Sequence, residues 1–171
     1  ITTSDFVNML KGAFIRLSRR FPNVKFKIIG GNFYIDGLVN VICKPWILKE
    51  EIGDLRTFDI GIMPMPDNQW TNGKCGFKAI LYMSIGIPCI CSPVGINKEI
   101  ITDGVNGFLA NTEEEWIEKL SLLIENPELR SQIGQRGRRS VEEKYSVAVN
   151  APKFLNVIKK TYAEKPPFYP F

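Results

Sequence analysis

"FDIGIMPMPDNQWTNGKCGFKAILYMSIGIPCIC", residues 58–91, decides the fold. Asp59 to Met63 is a short apolar run stopped by Pro64 and Pro66, which reads as a strand. Residues 67–73 (DNQWTNG) read as a loop by composition. The stretch from Lys74 to Pro88 reads as a helix that is apolar nearly all round, as suits a buried element. Pro88 to Cys91 is almost purely apolar, the pattern of a strand covered on both faces.

The same alternation continues outward in both directions. Upstream, residues 4–20 have helical spacing at Phe6, Met9, Leu10, Phe14 and Leu17, with Ser4 as the expected N-cap. Strands are expected at 24–29, closed by Gly30-Gly31, and at 38–43, with a short helix over 48–57. Downstream come a short segment around Lys98 to Ile101, the turn-rich DGVNG of 103–107 and a strand over 107–110. Thr112 with Glu115 makes a capping box ahead of the stripe Trp116, Leu120, Leu123 and Ile124. Asn126-Pro127 starts another helix, with proline at its first position, and a last helix is expected over 147–162. Strands alternating with helices indicate a parallel α/β sheet.

Bulk composition narrows the chemistry. The 171 residues suffice for one domain, and 44% apolar residues permit a sizeable core. A net charge of +4 and a pI near 8.9 suit an anionic small ligand and are too weak to argue for nucleic acid. There is no histidine, so the commonest general base is missing, and no CxxC spacing, so a zinc site is not expected. The four cysteines, Cys43, Cys75, Cys89 and Cys91, are expected to be buried, reduced and inert, the state of a reducing, cytoplasmic compartment. No apolar run approaches the ~20 residues that span a bilayer, and no signal peptide is seen. The chain opens on ITTSDF without a methionine and is soon helical, so it is expected to be a piece of a longer protein.

Lys74 and Lys78 pose the functional question. They stand at the start of the buried helix, where partial positive charge disfavours a cation by about 0.3–1 kcal/mol. The loop before them leaves the carboxyl end of a strand, where open parallel sheets bind ligands. First-turn N–H groups at Gly76, Phe77 and Lys78 would form an anion cradle, and Gly76 would let a phosphate approach the backbone. A diphosphate would make both lysines favourable; otherwise they are merely solvated, and both readings stay open here. Other candidates are weaker. Arg130, Arg136, Arg138 and Arg139, interleaved with glutamates, read as a solvated helix face. Trp46 and Trp70 suit base stacking or shielding as well as packing, and Glu99 and Asp103 suit turns as well as acid–base work. Gly30-Gly31 is not a dinucleotide fingerprint.

Three stretches together carry a resemblance: FDIGIMPMPD, GKCGFKAILYMSIGIPCICSPVGINKEIITDGVNGFLA and LIENPELRSQIGQRGRRSVEEKYS. They are similar to the C-terminal domain of retaining glycosyltransferases of group 1, family four, over about residues 5–160. The resemblance implies the C-terminal half of a GT-B fold, a Rossmann-like parallel sheet flanked by helices that holds a nucleotide-sugar donor. It also implies a separate N-terminal acceptor domain, no metal and no further cofactor. The family usually shows EGFGxxxLEAMAxGxP. Aligned at Met83, Gly86 and Pro88, its two glutamates fall on Gly73 and Leu81, so both are absent. The sequence instead resembles a variant with a GKxxxK pattern, in which Lys74, Cys75, Gly76, Phe77 and Lys78 would bind the donor. Trp46, Asp67, Leu81 and Glu99 are the candidate base or sugar contacts. The family's first strand is missing, and its usual basic phosphate contact falls on Asp5.

The expected organisation is one nucleotide-sugar-binding domain over 1–162 and a tail over 163–171. The expected function is transfer of a sugar, with retention, from a nucleotide diphosphate sugar. The rival is a non-catalytic nucleotide- or partner-binding module, favoured by the two lost glutamates; an epimerase has no acid–base constellation here. No transmembrane segment is expected, which leaves room for peripheral membrane association of the longer protein. In a sheet of order 3-2-1-4-5-6 the absent first strand is central. Strand 24–29 is therefore expected to pair directly with strand 59–63, or another chain to fill the slot between them.

Overall fold

The computed structural model describes residues 6–163. The expectations at Ser4 and Asp5, and the tail beyond Ala163, lie outside the described residues. A 3₁₀ turn, Asn8–Leu10, leads into α1 (Lys11–Arg20), which buries Ala13, Phe14 and Leu17. β1 (Phe26–Ile29) and β2 (Val41–Lys44) follow, then a 3₁₀ turn at Leu48–Glu50 and α2 (Glu51–Leu55). β3 (Gly61–Met63), α3 (Gln69–Asn72), α4 (Phe77–Ser84) and β4 (Cys89–Cys91) make up the central stretch. α5 (Asn97–Ile100), β5 (Phe108–Leu109), α6 (Glu113–Glu125), α7 (Pro127–Lys144) and α8 (Val147–Ala163) complete the described residues.

Among the described residues all strand pairs are parallel, and they form two sheets: β1-β2 and β3-β4-β5. The expected pairing of strand 24–29 with strand 59–63 is not made. β1 uses one edge on β2 and β3 uses one edge on β4, so their other edges face a common groove. Phe14 and Leu17 of α1 line that groove and anchor the first core cluster. The Phe14 ring packs on Phe26 of β1 at 4.6 Å between centroids. Phe14 and Leu17 share that cluster with Trp116, Leu120 and Leu123 of α6.

Several local readings change. Residues 67–73 are not plain loop, because Asn68 and Thr71 form a reciprocal capping box that starts α3. α4 is shorter than expected and not buried all round; Ala79 and Met83 are buried while Phe77 is 60% exposed. Its Phe77, Leu81 and Tyr82 line the groove, which accounts for the apolar third face. Cys89 and Cys91 are buried as expected, but Cys43 and Cys75 are exposed; all four are free. The arginines are not simply a solvated face. Arg130 donates to the carbonyls of Leu123 and Ile124 at 2.7 and 3.0 Å, capping α6, and Arg138 donates to the carbonyl of Ser84 at the end of α4.

The Thr112–Glu115 capping box and the Asn126 cap with Pro127 at the helix start are present as read. Backbone N–H groups of Asn111 and Thr112 hold the Glu115 carboxyl below its ordinary value. Two glycines let α7 pack closely on α4. A Cβ at Gly134 would run into the Gly86 carbonyl, and one at Gly137 would come within 3.0 Å of the Asn106 carbonyl and 3.2 Å of Met83 Cγ. The turn before β5 is pinned by buried Asn106. Its amide donates to Ile100 O and Ser140 Oγ, both at 3.1 Å, and its oxygen accepts from Thr102 N–H at 2.7 Å.

Candidate functional site

The groove between the sheets has a volume of about 1170 Å³. Trp46, Lys74, Cys75, Gly76, Phe77, Lys78 and Leu81 all line it. Its carboxyl end is built by the segment from Pro64 to Gly76. Thr71 is fully buried there and donates to the Pro66 carbonyl, while its backbone N–H binds Asn68 Oδ1 at 3.0 Å. Asn72 then ties three pieces together. Its amide donates to Asp67 Oδ1 at 2.7 Å, and its oxygen accepts from Gly95 N–H at 3.0 Å. A Cβ on Gly95 would sit 2.7 Å from the Asn72 carbonyl, so this contact requires glycine. The loop after β3 and the loop after β4 are thus locked side by side.

Gly76 caps α4 from the left-handed region, φ 66°, and no side chain caps the helix. Among the described residues no N-cap side chain accepts from the first-turn N–H groups, an arrangement open to an anion. Glycine at this position is explained by packing as well as by ligand access. A Cβ there would collide with Ile100 and lie 3.2 Å from Asn97 Oδ1. Asn97 is fully buried, donates to Ser92 O at 3.0 Å, and has a side-chain oxygen with no hydrogen-bond partner among the described residues.

Lys74 and Lys78 are not on one helix face, since Lys74 precedes α4 and only Lys78 lies in its first turn. Lys74 places its ammonium 5.1 Å from the centre of the Phe6 ring, a cation–π contact. Lys78 is open to solvent along much of its surface, yet its ammonium is held below the ordinary lysine value. Desolvation in the groove mouth is the larger cause, and the charge of Lys74 adds to it. Two like charges beside uncapped N–H dipoles favour a bound anion on Coulombic grounds.

The remaining candidates separate. Trp46 is half exposed at the carboxyl side of β2 and donates from Nε1 to Glu51 at 2.9 Å. Asp67 is exposed and engaged with Asn72; Glu99 is exposed on α5; neither lines the groove. Trp70 is 73% exposed and also outside it. Asp103 is a turn former, accepting from Leu109 N–H at 2.7 Å and pairing with Lys119 at 3.1 Å. Among the described residues, no group of three or more metal-ligating side chains is placed to hold an ion. No helix among them is long and apolar enough to cross a membrane. Sequence reasoning missed Asn72 and Thr71 as builders of the site; Asn68 with Thr71 three residues on was the available signal.

Residues 60–140 match the family described as glycosyl transferases group 1. An uncharacterized glycosyltransferase of Methanocaldococcus jannaschii is 34% identical over 149 residues, covering 81% of this chain and 40% of that protein. The chain spans less than half the length of the curated relatives it matches. Among solved structures, the C-terminal domain of a group 1 glycosyl transferase (LpcC) from Francisella tularensis has a TM-score of 0.62 at 20% identity. That match covers 86% of this chain and 83% of that one. Anabaena HepE, solved with UDP-glucose, has a TM-score of 0.70 at 15% identity, covering 94% of this chain and 46% of that one. These likenesses establish the fold, the Rossmann-like C-terminal half of a GT-B architecture.

Proposed function

From the premise that this chain belongs to the group 1 glycosyltransferases, which its residues 60–140 match, we propose that it is the donor-binding part of a sugar transferase. Its ligand is a nucleoside diphosphate sugar. The observation that carries the reading is the uncapped start of α4, flanked by Lys74 and Lys78, at the carboxyl ends of parallel strands. The diphosphate sits against the N–H groups of Phe77 and Lys78, with the two ammonium groups on its oxygens. As the bond to the sugar breaks, negative charge grows on the departing diphosphate. Dipoles and cations already in place stabilise that charge without reorganising.

Trp46 and Leu81 line the same groove and are the proposed contacts to base or ribose. Retention at the anomeric carbon is what the family resemblance implies, and we assign no catalytic base. The acceptor belongs to another part of the longer protein. UDP is the first nucleotide to test, because HepE and S. aureus TarM were solved with it. Calorimetric titration of the full-length protein with UDP, GDP and ADP checks the reading. Saturable binding of one nucleotide supports it; no binding of any of the three removes it. Binding without sugar transfer would favour a non-catalytic module, the reading suggested by Gly73 and Leu81 standing where the family has glutamates.

A further inference from the structure

We infer that Glu51 is a positioning residue for the nucleobase: its carboxylate holds the indole of Trp46 in one orientation, with a ring face offered to the base. This role rests on the donor-site reading above and adds to it the group that fixes the base contact. Trp46 and Glu51 both line the groove, and Trp46 Nε1 donates to Glu51 Oε1 at 2.9 Å. A hydrogen bond to a carboxylate is about twice as strong as one between neutral groups. Trp46 is 52% exposed, and an indole so open can give its N–H to water, so burial alone does not set the angle of the ring. The bond to Glu51 does.

Both partners are held from beneath. A Cβ on Gly30 would lie 3.3 Å from Trp46 Cβ, so the root of the indole rests on the turn that ends β1. Glu51 opens α2, and α2 is tied to the sheet through Asp54. That buried carboxylate takes Lys27 of β1 at 3.1 Å and Lys44 of β2 at 2.8 Å. Lys44 also reaches Glu50, the neighbour of Glu51, at 2.6 Å. Donor and acceptor of the Trp46–Glu51 bond therefore stand on two pieces of backbone, each fixed to the β1-β2 sheet. The ring is set before a ligand arrives, which removes the cost of ordering it on binding. Every base has a π face, so a fixed ring contributes affinity for nucleotides in general rather than a choice among them. Lys74 and Lys78 act on the diphosphate. Glu51 acts only through Trp46, and so only on ligands that carry a base.

The test is a double-mutant cycle in the full-length protein, with two ligands titrated: inorganic pyrophosphate, and whichever of UDP, GDP and ADP binds most tightly. Glu51→Ala is expected to raise the Kd of the nucleotide about fivefold or more, since stacking on a loosened ring is weaker. It is expected to leave the Kd of pyrophosphate unchanged. Glu51→Gln keeps an acceptor oxygen and should restore most of the nucleotide affinity. Trp46→Phe keeps a ring and loses the N–H, so adding Glu51→Ala to it should cost nothing further. If Glu51→Ala fails to fold, Trp46→Phe with and without Glu51→Gln decides, with equal nucleotide Kd values expected. An unchanged nucleotide Kd in Glu51→Ala would overturn the role of Glu51. So would an equal loss for pyrophosphate, or a further loss in the Trp46→Phe background, because Glu51 would then act by another route. In those three cases the unaltered protein still binds nucleotide and the donor-site reading stands. Failure of the unaltered protein to bind any of the three nucleotides removes that reading, and the role of Glu51 with it.

Discussion

At the scale of single residues, the lysines at the α4 start carry the most chemistry and the clearest pH signature. Free Lys78 titrates below 10.5 because desolvation and Lys74 both disfavour its charge. A bound diphosphate reverses that balance and raises its pKa. Binding therefore takes up protons, and affinity falls as pH rises through the depressed value towards 10.5. Titration at alkaline pH in two buffers of different ionisation heat should show this uptake, and Lys78→Met should abolish it. Proton release on binding would be the wrong sign. The position of the lysines and Gly76 around a helix start was legible in the sequence, because cations and a glycine there are locally anomalous. The role of Asn97 beside Gly76 was not, since it depends on a contact across more than 20 positions that no local pattern encodes.

At the scale of elements, caps were legible where the whole signal lies within one turn. Thr112 with Glu115, and Asn126 with Pro127, are such cases. α3 was misread because its polar composition outweighed the capping box formed by Asn68 and Thr71. The arginines were misread for a different reason. Arg130 and Arg138 spend their donors on the carbonyl ends of other helices, and the sequence of α7 alone does not say which partners approach it. The α4–α7 seam shows the same limit, with Gly134 set against the Gly86 backbone. Gly134→Ala puts a methyl into a rigid carbonyl rather than a flexible side chain. We expect a loss of about 1–3 kcal/mol, the usual cost of overpacking, read as a lower midpoint in urea. Gly137→Ala brings its methyl to 3.0 Å from the Asn106 carbonyl, a looser approach than the one at Gly134, and should cost less. Equal midpoints for wild type and Gly134→Ala would mean that the helices are not in close contact.

At the scale of the whole molecule, the parallel α/β class was readable from the alternation of elements, while the division into two sheets was not. Strand propensity says that β1 and β3 are strands; it does not say whether their edges meet, which depends on tertiary packing, and Phe14 and Leu17 line the groove between them. The same geometry limits what the chain does alone. The site we propose is for the donor, and no acceptor site is proposed in this chain, so the 171 residues alone are expected to show no sugar transfer to an added acceptor. Product formation by the chain alone, followed with radiolabelled donor, would contradict this division of labour.

The central claim is that Lys74 and Lys78 hold a diphosphate at the start of α4, and the most direct measurement compares nucleotide affinity across single variants of the full-length protein. A charge-assisted contact is worth about 1.5–3 kcal/mol, so Lys74→Ala and Lys78→Ala should each raise the Kd for the preferred nucleoside diphosphate about tenfold or more. Trp70→Ala, exposed and outside the groove, should leave it unchanged. A Kd that stays the same in both lysine variants would contradict the account.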